Sequence, residues 1–575
     1  MDTLKKLRYL LDKKDKAGFV GVFILNFLAS FAELLGIAII MPIINLAMDQ
    51  GELGANWIEA TVMKVTGATT RSQVIWWLVA ATILIYILKS VFLIYVYNHQ
   101  FLFSMVFKRK VTLRLMNAYL KQPYSYHLNK NSSELFRCVD LDTASLFESV
   151  ISLLKVMSGA LMTLCIVGYL IITNPKMTLV IALILGFCCW LSYFVLNKKF
   201  RHYGKVNQEV SGELDKHVRQ AFNGVKEIKI MENESYFTEA FDRTHHRKVE
   251  NMAKYNIFSL IPKNLIETMC IAGILLFLGY SVSFNENYDA IIPQIAAFCV
   301  AAYKLLPAVN TIVGSMNTMV YAKAGVNQIY EDIKEVDELE KYDCQKEVAG
   351  VVDFQKDICL EGVFYRYEGM NKDVLRNVNL EIQKGQSIAF VGPSGGGKTT
   401  TADIILGLLE PTKGKVLVDG VDIHATKRKW GGRIGYIPQS IYLTDDTIRN
   451  NIAFGIKSEE IDEAKVWEAI GEAQLKEFVL SLPEGLDTMV GERGVRMSGG
   501  QRQRVGIARA LYRNPDVLVF DEATSALDNE TEKELMNSIE ALQGKKTMIM
   551  IAHRLSTIEK CDVIYKVENG EVKRK

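Results

Sequence analysis

Lys398 follows three glycines and precedes two threonines in the stretch Gly392-Pro393-Ser394-Gly395-Gly396-Gly397-Lys398-Thr399-Thr400. An ammonium, a hydroxyl and a run of unhindered backbone N–H groups at this spacing suit the holding of a chain of phosphates. Glycines let the backbone wrap closely round an anion, and the N-terminus of a following helix adds the positive end of its dipole. Lys398 can then reach the β- and γ-phosphates of ATP, and the Thr399 hydroxyl can ligate Mg²⁺. The pattern carries this meaning between a strand and a helix. An apolar run from Ile388 to Val391 precedes it, and an apolar helical segment from Thr400 to Leu409 follows.

Two further groups belong to the same chemistry. The buried-strand pattern Val517-Leu518-Val519-Phe520 ends in Asp521-Glu522. A carboxylate at a strand end beside a phosphate loop suits Mg²⁺, and the next one can orient or deprotonate water. Met497-Ser498-Gly499-Gly500-Gln501 opens a helix from Arg502 to Leu511. Small residues at a helix start again offer N–H groups to an anion. Upstream, Tyr367 could stack on adenine or be an ordinary strand tyrosine. Strands are expected over Phe354–Leu360, Phe364–Tyr367 and Leu380–Ile382.

The elements that position these residues occupy the C-terminal part of a longer chain. Its 575 residues imply more than one domain, and a formal charge of +2 gives no basic field for nucleic acid. Nine cysteines are scattered without a CxxC pair, against both a disulfide framework and a zinc site. Six apolar segments crowd the first 320 residues, at 18–48, 73–103, 143–173, 177–197, 256–284 and 290–320. Most exceed the roughly 20 residues that span a bilayer, so residues 1–320 read as a transmembrane domain. Residues 321–350 read as a charged linker and residues 351–575 as the nucleotide-binding domain.

Charge sets the orientation. Lys5, Lys6, Arg8, Lys13, Lys14 and Lys16 precede the first span. Lys108, Arg109, Lys110, Arg114 and Lys121 follow the second, and Lys198, Lys199, Arg201 and Lys205 follow the fourth. The opposite loops carry only Lys64, Arg71 and Lys176. Both termini and the phosphate loop are therefore expected in the cytoplasm, with the third and fourth spans turning outside at Asn174-Pro175. Residues 56–65 have apolar positions at helical spacing, for a helix on the outer membrane surface or one packed on the protein. Glu33, Lys89, Lys155, Lys263, Glu267 and Lys304 are ionisable residues inside spans, each costly there. Lys89, Lys263 and Lys304 could line a phosphate-binding cavity. The alternative is that they reach the inner interface or pair with Glu33 and Glu267.

Met497 to Gln501 resembles the signature motif of ATP-binding cassette proteins, with Met where Leu is usual. The other cassette elements follow in order: Gln439 resembles the Q-loop, Gly491-Glu492-Arg493-Gly494 the X-loop of exporters, and Ser525-Ala526-Leu527-Asp528 the D-loop. His553 resembles the switch histidine and Tyr367 the A-loop. The resemblance implies a homodimer, or a heterodimer with an unseen partner, in which each signature loop (Ser498, Gly499, Gly500, Gln501) caps ATP on the other subunit's phosphate loop. It implies that Thr399, Gln439 and Asp521 position Mg²⁺, that Glu522 activates water and that His553 contacts the γ-phosphate. Six spans followed by one cassette resemble ABC exporters: a membrane α-helical domain of six transmembrane helices fused to an α/β P-loop nucleotide-binding domain. Coupling helices are expected at Pro123–Asn129 and His217–Val225.

Within exporters the membrane half is similar to bacterial lipid-linked oligosaccharide flippases, on Phe31-Ala32-Glu33 to Met41-Pro42, the 55–65 insert and Tyr303-Lys304-Leu305-Leu306-Pro307. That resemblance implies ATP-driven flipping of a polyprenyl diphosphate oligosaccharide or similar anionic amphiphile, with membrane lipids as partners, across the cytoplasmic membrane. An exporter of drugs, other lipids or peptides is the alternative, and a non-transporting ATPase regulator the third.

Overall fold

The computed structural model describes residues 2–39, 46, 57–173, 175–284, 288–343, 347–522, 539–551 and 560–575. Contacts divide the chain into a helical unit, residues 1–122 and 130–337, and a mixed unit, residues 123–129 and 338–575.

The helical unit opens with α1 (Asp2–Leu10), α2 (Lys13–Ala38), α3 (Trp57–Thr66) and α4 (Arg71–Lys121). The next helix, α5 (Tyr124–Asn129), belongs to the mixed unit. There follow α6 (Ser132–Arg137), a π-helical turn at Cys138–Asp142, α7 (Thr143–Thr173), α8 (Pro175–Asn223) and α9 (Val225–Met231). Then come α10 (Glu234–Phe284), α11 (Tyr288–Tyr321) and α12 (Lys323–Asp343). Among the described residues, Lys13–Leu35, Arg71–Lys121 and Ser132–Ile172 are long and apolar enough to cross a membrane.

Sequence explains these helices locally. α4 begins at Thr70, whose hydroxyl accepts from Gln73 N–H while the Gln73 side chain returns to the cap. It stops where Pro123 would disfavour helix at Gln122. Its 51 residues extend about 75 Å at 1.5 Å each, over twice the roughly 30 Å of hydrocarbon. Its outward face carries Trp76, Ile83, Leu84, Leu88, Val91 and Ile94, all exposed. Such a face suits lipid as its solvent. The helices meet through Ile166 and Leu170 of α7, Ile266 of α10, and Leu305, Val309 and Val313 of α11, all buried together.

One open alternative is decided here, one expectation changes and one falls outside the described residues. Val62 and Met63 of α3 pack against Leu46, Ala68 and Val74, so this helix is seated on the protein. His217–Val225 is not a separate helix. α8 continues to Asn223, Gly224 interrupts it, and the short helix is Val225–Met231. Asn174 lies outside the described residues, so the turn expected there is too.

In the mixed unit β1 (Glu347–Val351) leads to β2 (Asp357–Tyr365), β3 (Leu375–Gln383), β4 (Ser387–Val391) and α13 (Lys398–Ile405). After β5 (Lys413–Val418), β6 (Val421–Asp422), β7 (Thr426–Lys429) and β8 (Ile434–Ile437) come three short helices. These are α14 (Ile448–Ile452), α15 (Glu463–Glu472) and α16 (Lys476–Ser481). The chain then makes α17 (Gly499–Leu511), β9 (Val517–Asp521), β10 (Thr547–Ile551), β11 (Val563–Glu568) and β12 (Glu571–Arg574). The main sheet has the order β12-β11-β4-β10-β9-β8 and is parallel except at β12. β9 and β10 are buried at every position, as continuous apolar strands covered on both faces must be. A second, antiparallel sheet runs β3-β2-β5-β6. The strands expected at 354–360 and 364–367 are one strand, β2, whose pairing with β3 and β5 shifts register near residues 361–364.

A Cβ on Gly204 of α8 would lie 2.0 Å from the Tyr321 carbonyl oxygen of α11, and backbone cannot swing aside. Gly204→Ala is expected to lower the full-length protein's stability by about 1–3 kcal/mol, seen as a depressed thermal midpoint in detergent. Gly168→Ala, with nothing within 4 Å of the added carbon, serves as the neutral comparison.

Candidate functional site

β4 delivers the chain to Gly392, and Gly397 caps α13 with φ 106°. The loop passes against β11: a Cβ on Gly392 would sit 2.0 Å from the Val567 carbonyl oxygen, and one on Gly396 would sit 2.8 Å from it. Pro393, Ser394 and Gly395 form the exposed crest. Lys398 is buried, and its Nζ donates to the carbonyls of Gly392 at 2.9 Å and Pro393 at 3.0 Å. The ammonium thus lies inside its own loop, held by acceptors that phosphate oxygens can replace. Thr399, next along α13, is exposed.

Tyr367 lies just beyond β2, its hydroxyl 3.0 Å from the Thr400 hydroxyl and its ring edge-on to Tyr365. That puts an aromatic face beside the first turn of α13. The next residue, Glu368, accepts from Asn129 Nδ2 of α5 at 2.8 Å. The Tyr124 hydroxyl on α5 is pushed up by burial and by Asp403 and Tyr367. The short helix expected at Pro123–Asn129 therefore rests on the cassette beside the tyrosine expected to meet adenine.

β9 ends at Asp521, which is buried and accepts from the Tyr436 hydroxyl at 3.4 Å. Burial and the neighbouring Glu522 push its carboxyl up, while the Tyr436 hydrogen bond and Lys398 oppose them. Glu522 occupies the left-handed region at φ 49°, with its N–H donating to the Ile551 carbonyl at 3.1 Å. Gln439 Nε2 donates to Glu522 Oε2 at 2.7 Å. The site thus collects Lys398, Thr399, Thr400, Tyr367, Gln439, Asp521 and Glu522. An exposed hydroxyl, a buried carboxylate opposed by few cations and a nearby amide form an oxygen-donor set that fits Mg²⁺.

Ser498 caps α17: its hydroxyl accepts from Gln501 N–H at 3.2 Å, and the Gln501 side chain accepts from Ser498 N–H at 2.9 Å. Met497 is buried in the cassette core, where an apolar residue of leucine-like volume fits. Among the described residues no hydrogen bond or ion pair joins Ser498, Gly499, Gly500 or Gln501 to the phosphate loop. His553 and the 525–528 segment lie outside the described residues.

In the helical unit, Lys89 is buried and its Nζ is 3.2 Å from Glu33 Oε2, the pairing alternative left open by the sequence. Lys263 is exposed on α10, and the Lys304 side chain lies outside the described ones. A cavity of about 330 Å³ is lined by Glu33, Tyr97, Gln100, Lys155, Ser158 and Tyr303, among others. Among the described residues, Lys155 and not Lys263 lines it. Only the ionisable character of Lys155 within an apolar run signalled this in sequence.

The ABC transporter family model matches residues 375–525, and that of the ABC transporter transmembrane region matches residues 19–295. An ATP-dependent lipid A-core flippase of Alkalilimnicola ehrlichii is 31% identical over 81% of this chain and 78% of its own. The chain belongs to the ABC transporter family. The Escherichia coli K12 protein of that same description is 30% identical over 80% of this chain and 78% of its own. An uncharacterized ABC transporter ATP-binding protein, YwjA of Bacillus subtilis, is 30% identical over 70% of this chain and 69% of its own. In fold, a bacterial Atm1-family ABC exporter solved with ATP bound superposes with a TM-score of 0.77 at 22% identity, over 97% of this chain and 94% of that one. This ABC transporter is a half-transporter with an exporter fold, a membrane protein whose ATP hydrolysis is coupled to transport.

Half-buried Asp403 of α13 is pushed up to about 6 by burial and by Asp521. A carboxyl with a raised folded pKa binds more protons when folded, so its contribution to stability falls between about pH 4 and pH 6 and is then level. Asp403→Asn is expected to stabilise the nucleotide-free protein at pH 7.5 by about 1 kcal/mol after solvent screening. Thermal midpoints across pH should fall less steeply in the variant than in the parent.

Proposed function

We propose that two copies of this chain form an ATP-driven flippase for an anionic lipid amphiphile, a polyprenyl diphosphate-linked oligosaccharide, in the cytoplasmic membrane with both termini cytoplasmic. The observation carrying the cargo is the cavity of Glu33, Lys155, Tyr97 and Tyr303 within helices whose outer faces are apolar. A diphosphate in this cavity would take Lys155 as its cationic partner, while Glu33 keeps its ion pair with Lys89. Tyrosine and glutamine suit the hydroxyls of a sugar, while the alkyl tail remains in lipid. A drug-binding cavity would have little use for a buried ion pair at its wall. The relatives' printed activity, flipping of lipid A-core, supports a lipid cargo.

Across the two copies, ATP would lie between one phosphate loop and the other copy's Ser498–Gln501 turn. In that arrangement Lys398 leaves its loop carbonyls for the β- and γ-phosphates, and the N–H groups of 395–400 complete the cradle. Tyr367 stacks on adenine. Thr399, Gln439 and Asp521 would hold Mg²⁺, which would supply charge neutralisation at the phosphates. Glu522 accepts the proton of the attacking water, aimed by Gln439, and His553 contacts the γ-phosphate. The helix α5, resting on Glu368 beside Tyr367, passes the resulting movement to α4.

Glu522→Gln is expected to cut ATP hydrolysis by about 10²–10⁴-fold with ATP binding retained, measured on purified protein in nanodiscs. Undiminished turnover would remove Glu522 from the reaction. Lys155→Gln should reduce flipping of a polyprenyl diphosphate glycan in proteoliposomes about tenfold, a loss of about 1.4 kcal/mol. Unchanged flipping would discard the phosphate contact, and equal stimulation of ATPase by uncharged amphiphiles would favour the broader exporter reading.

A further inference from the structure

A second polar cavity, of about 300 Å³, lies in the helical unit away from the first. The side chains that matter are Arg137 and Asp142 on the two ends of the π-helical turn, Asn207, Gln208 and Ser211 on α8, and Lys248 on α10. The charge-rich α8 stretch that begins at Lys198 carries three of them, in a segment the positive-inside pattern assigns to the cytoplasmic side. A π-turn widens the helix locally and such turns recur at functional sites. Here it leaves Arg137 and Asp142 facing one space.

Donors outnumber acceptors in this space. Gln208 Nε2 donates to both oxygens of buried Asp142 at 3.1 Å, which occupies the cavity's one carboxylate. Arg137 Nε lies 3.4 Å from Asp142 Oδ2, within ion-pair distance but without hydrogen-bond alignment, so this buried N–H has no acceptor. Among the described residues, Arg137 Nη2 reaches only the Cys138 thiol, at 3.8 Å. Lys248 is half-buried and, among the described residues, has no carboxylate within ion-pair distance and no hydrogen bond. Asn207 and Ser211 add neutral donors. On one side α12 approaches so closely that a Cβ on Gly325 would be 2.9 Å from Asp142 Oδ1. The wall is therefore backbone and fixed.

We propose that this cavity binds a phosphate-bearing anion. Two cations with spare N–H groups, one of them a planar guanidinium fork, match the several acceptor oxygens of a phosphate, and two neutral donors can complete its shell. At about 300 Å³ the space is at the lower end of ligand pockets. It admits a free phosphate compound or a lipid headgroup, and excludes a whole glycolipid. Because its residues come from the start of α7, from α8 and from α10, a bound anion would tie three helices together.

The test uses full-length protein carrying Lys398→Ala, which removes the phosphate loop as a competing site. Inorganic phosphate is titrated in detergent against chloride of matched ionic strength, with the thermal midpoint read by tryptophan fluorescence. The parallel arm compares nanodiscs of phosphatidylcholine with and without phosphatidic acid. A saturable rise of several degrees with inorganic phosphate supports a free anion, and a rise confined to phosphatidic acid supports a headgroup. In either case Lys248→Gln should weaken the half-saturation about tenfold, and Asn207→Asp, which adds a carboxylate, at least as much. The anion-free midpoint of Lys248→Gln should match its parent, since that lysine has no partner to lose. No saturable rise in either arm, or the same rise in both variants, overturns the proposal. The cavity is then filled by water or by a second copy of the chain.

Discussion

At Gly392 the backbone runs so close to the Val567 carbonyl that no side chain could stand between them. This approach fixes the phosphate loop against the sheet, and the rest of the nucleotide site takes its position from it. β4 is flanked by β10 and β11, so the loop leaves a strand that cannot shift without disturbing its neighbours. β9 lies one strand further on and brings Asp521 and Glu522 to the same edge. Lys398 completes the loop by bonding its carbonyls from inside. A buried ammonium without acceptors would be costly, so these carbonyls offset the burial of Lys398 and are acceptors that phosphate oxygens could replace. The left-handed backbone at Glu522 is part of the same constraint, holding a carboxylate at the strand end in a conformation that L residues seldom adopt.

The helical unit obeys the opposite solvent rule. The outward residues of α4 are apolar, as lipid solvent requires, and two polar pairs turn inward between helices. Glu33 meets Lys89, and Asn26 meets Gln100, both across α2 and α4. Removing one member of a buried pair costs about 3–5 kcal/mol, because the other charge is left without compensation. The Glu33–Lys89 pair therefore ties α2 to α4.

How much of this was legible depended on the range of the interaction. The phosphate loop, the Asp521-Glu522 strand end and the Ser498 cap are local patterns, each complete within a dozen residues, and they stand where sequence put them. The single strand β2 was read as two because a register shift near residues 361–364 broke its alternation. Alternation is set by the partner strands, which sequence does not display. Lys155 and Lys263 look alike in sequence, each an isolated cation in an apolar run. Which one faces a cavity depends on how α7 and α10 rotate against their neighbours. The short helix after α8 was displaced for a similar reason: helical periodicity runs through residues 217–223, and the break comes at Gly224. The polar cavity at Arg137 and Lys248 gave no signal, because its residues are far apart in the chain.

Coupling between hydrolysis and movement requires an element that both processes bias. Tyr367 is bonded to Thr400 on one side, and on the other its neighbour Glu368 holds Asn129 of α5. A base stacked on Tyr367, as proposed, would sit next to the attachment of that helix, and only Gln122 and Pro123 separate α5 from the end of α4 in sequence. Proline stiffens this connection by fixing φ, so a displacement of α5 is poorly absorbed there. On the proposed function, an adenine stacked on Tyr367 would lie next to the Glu368–Asn129 bond that holds α5, so the base end of the nucleotide as well as its phosphates would bear on that helix.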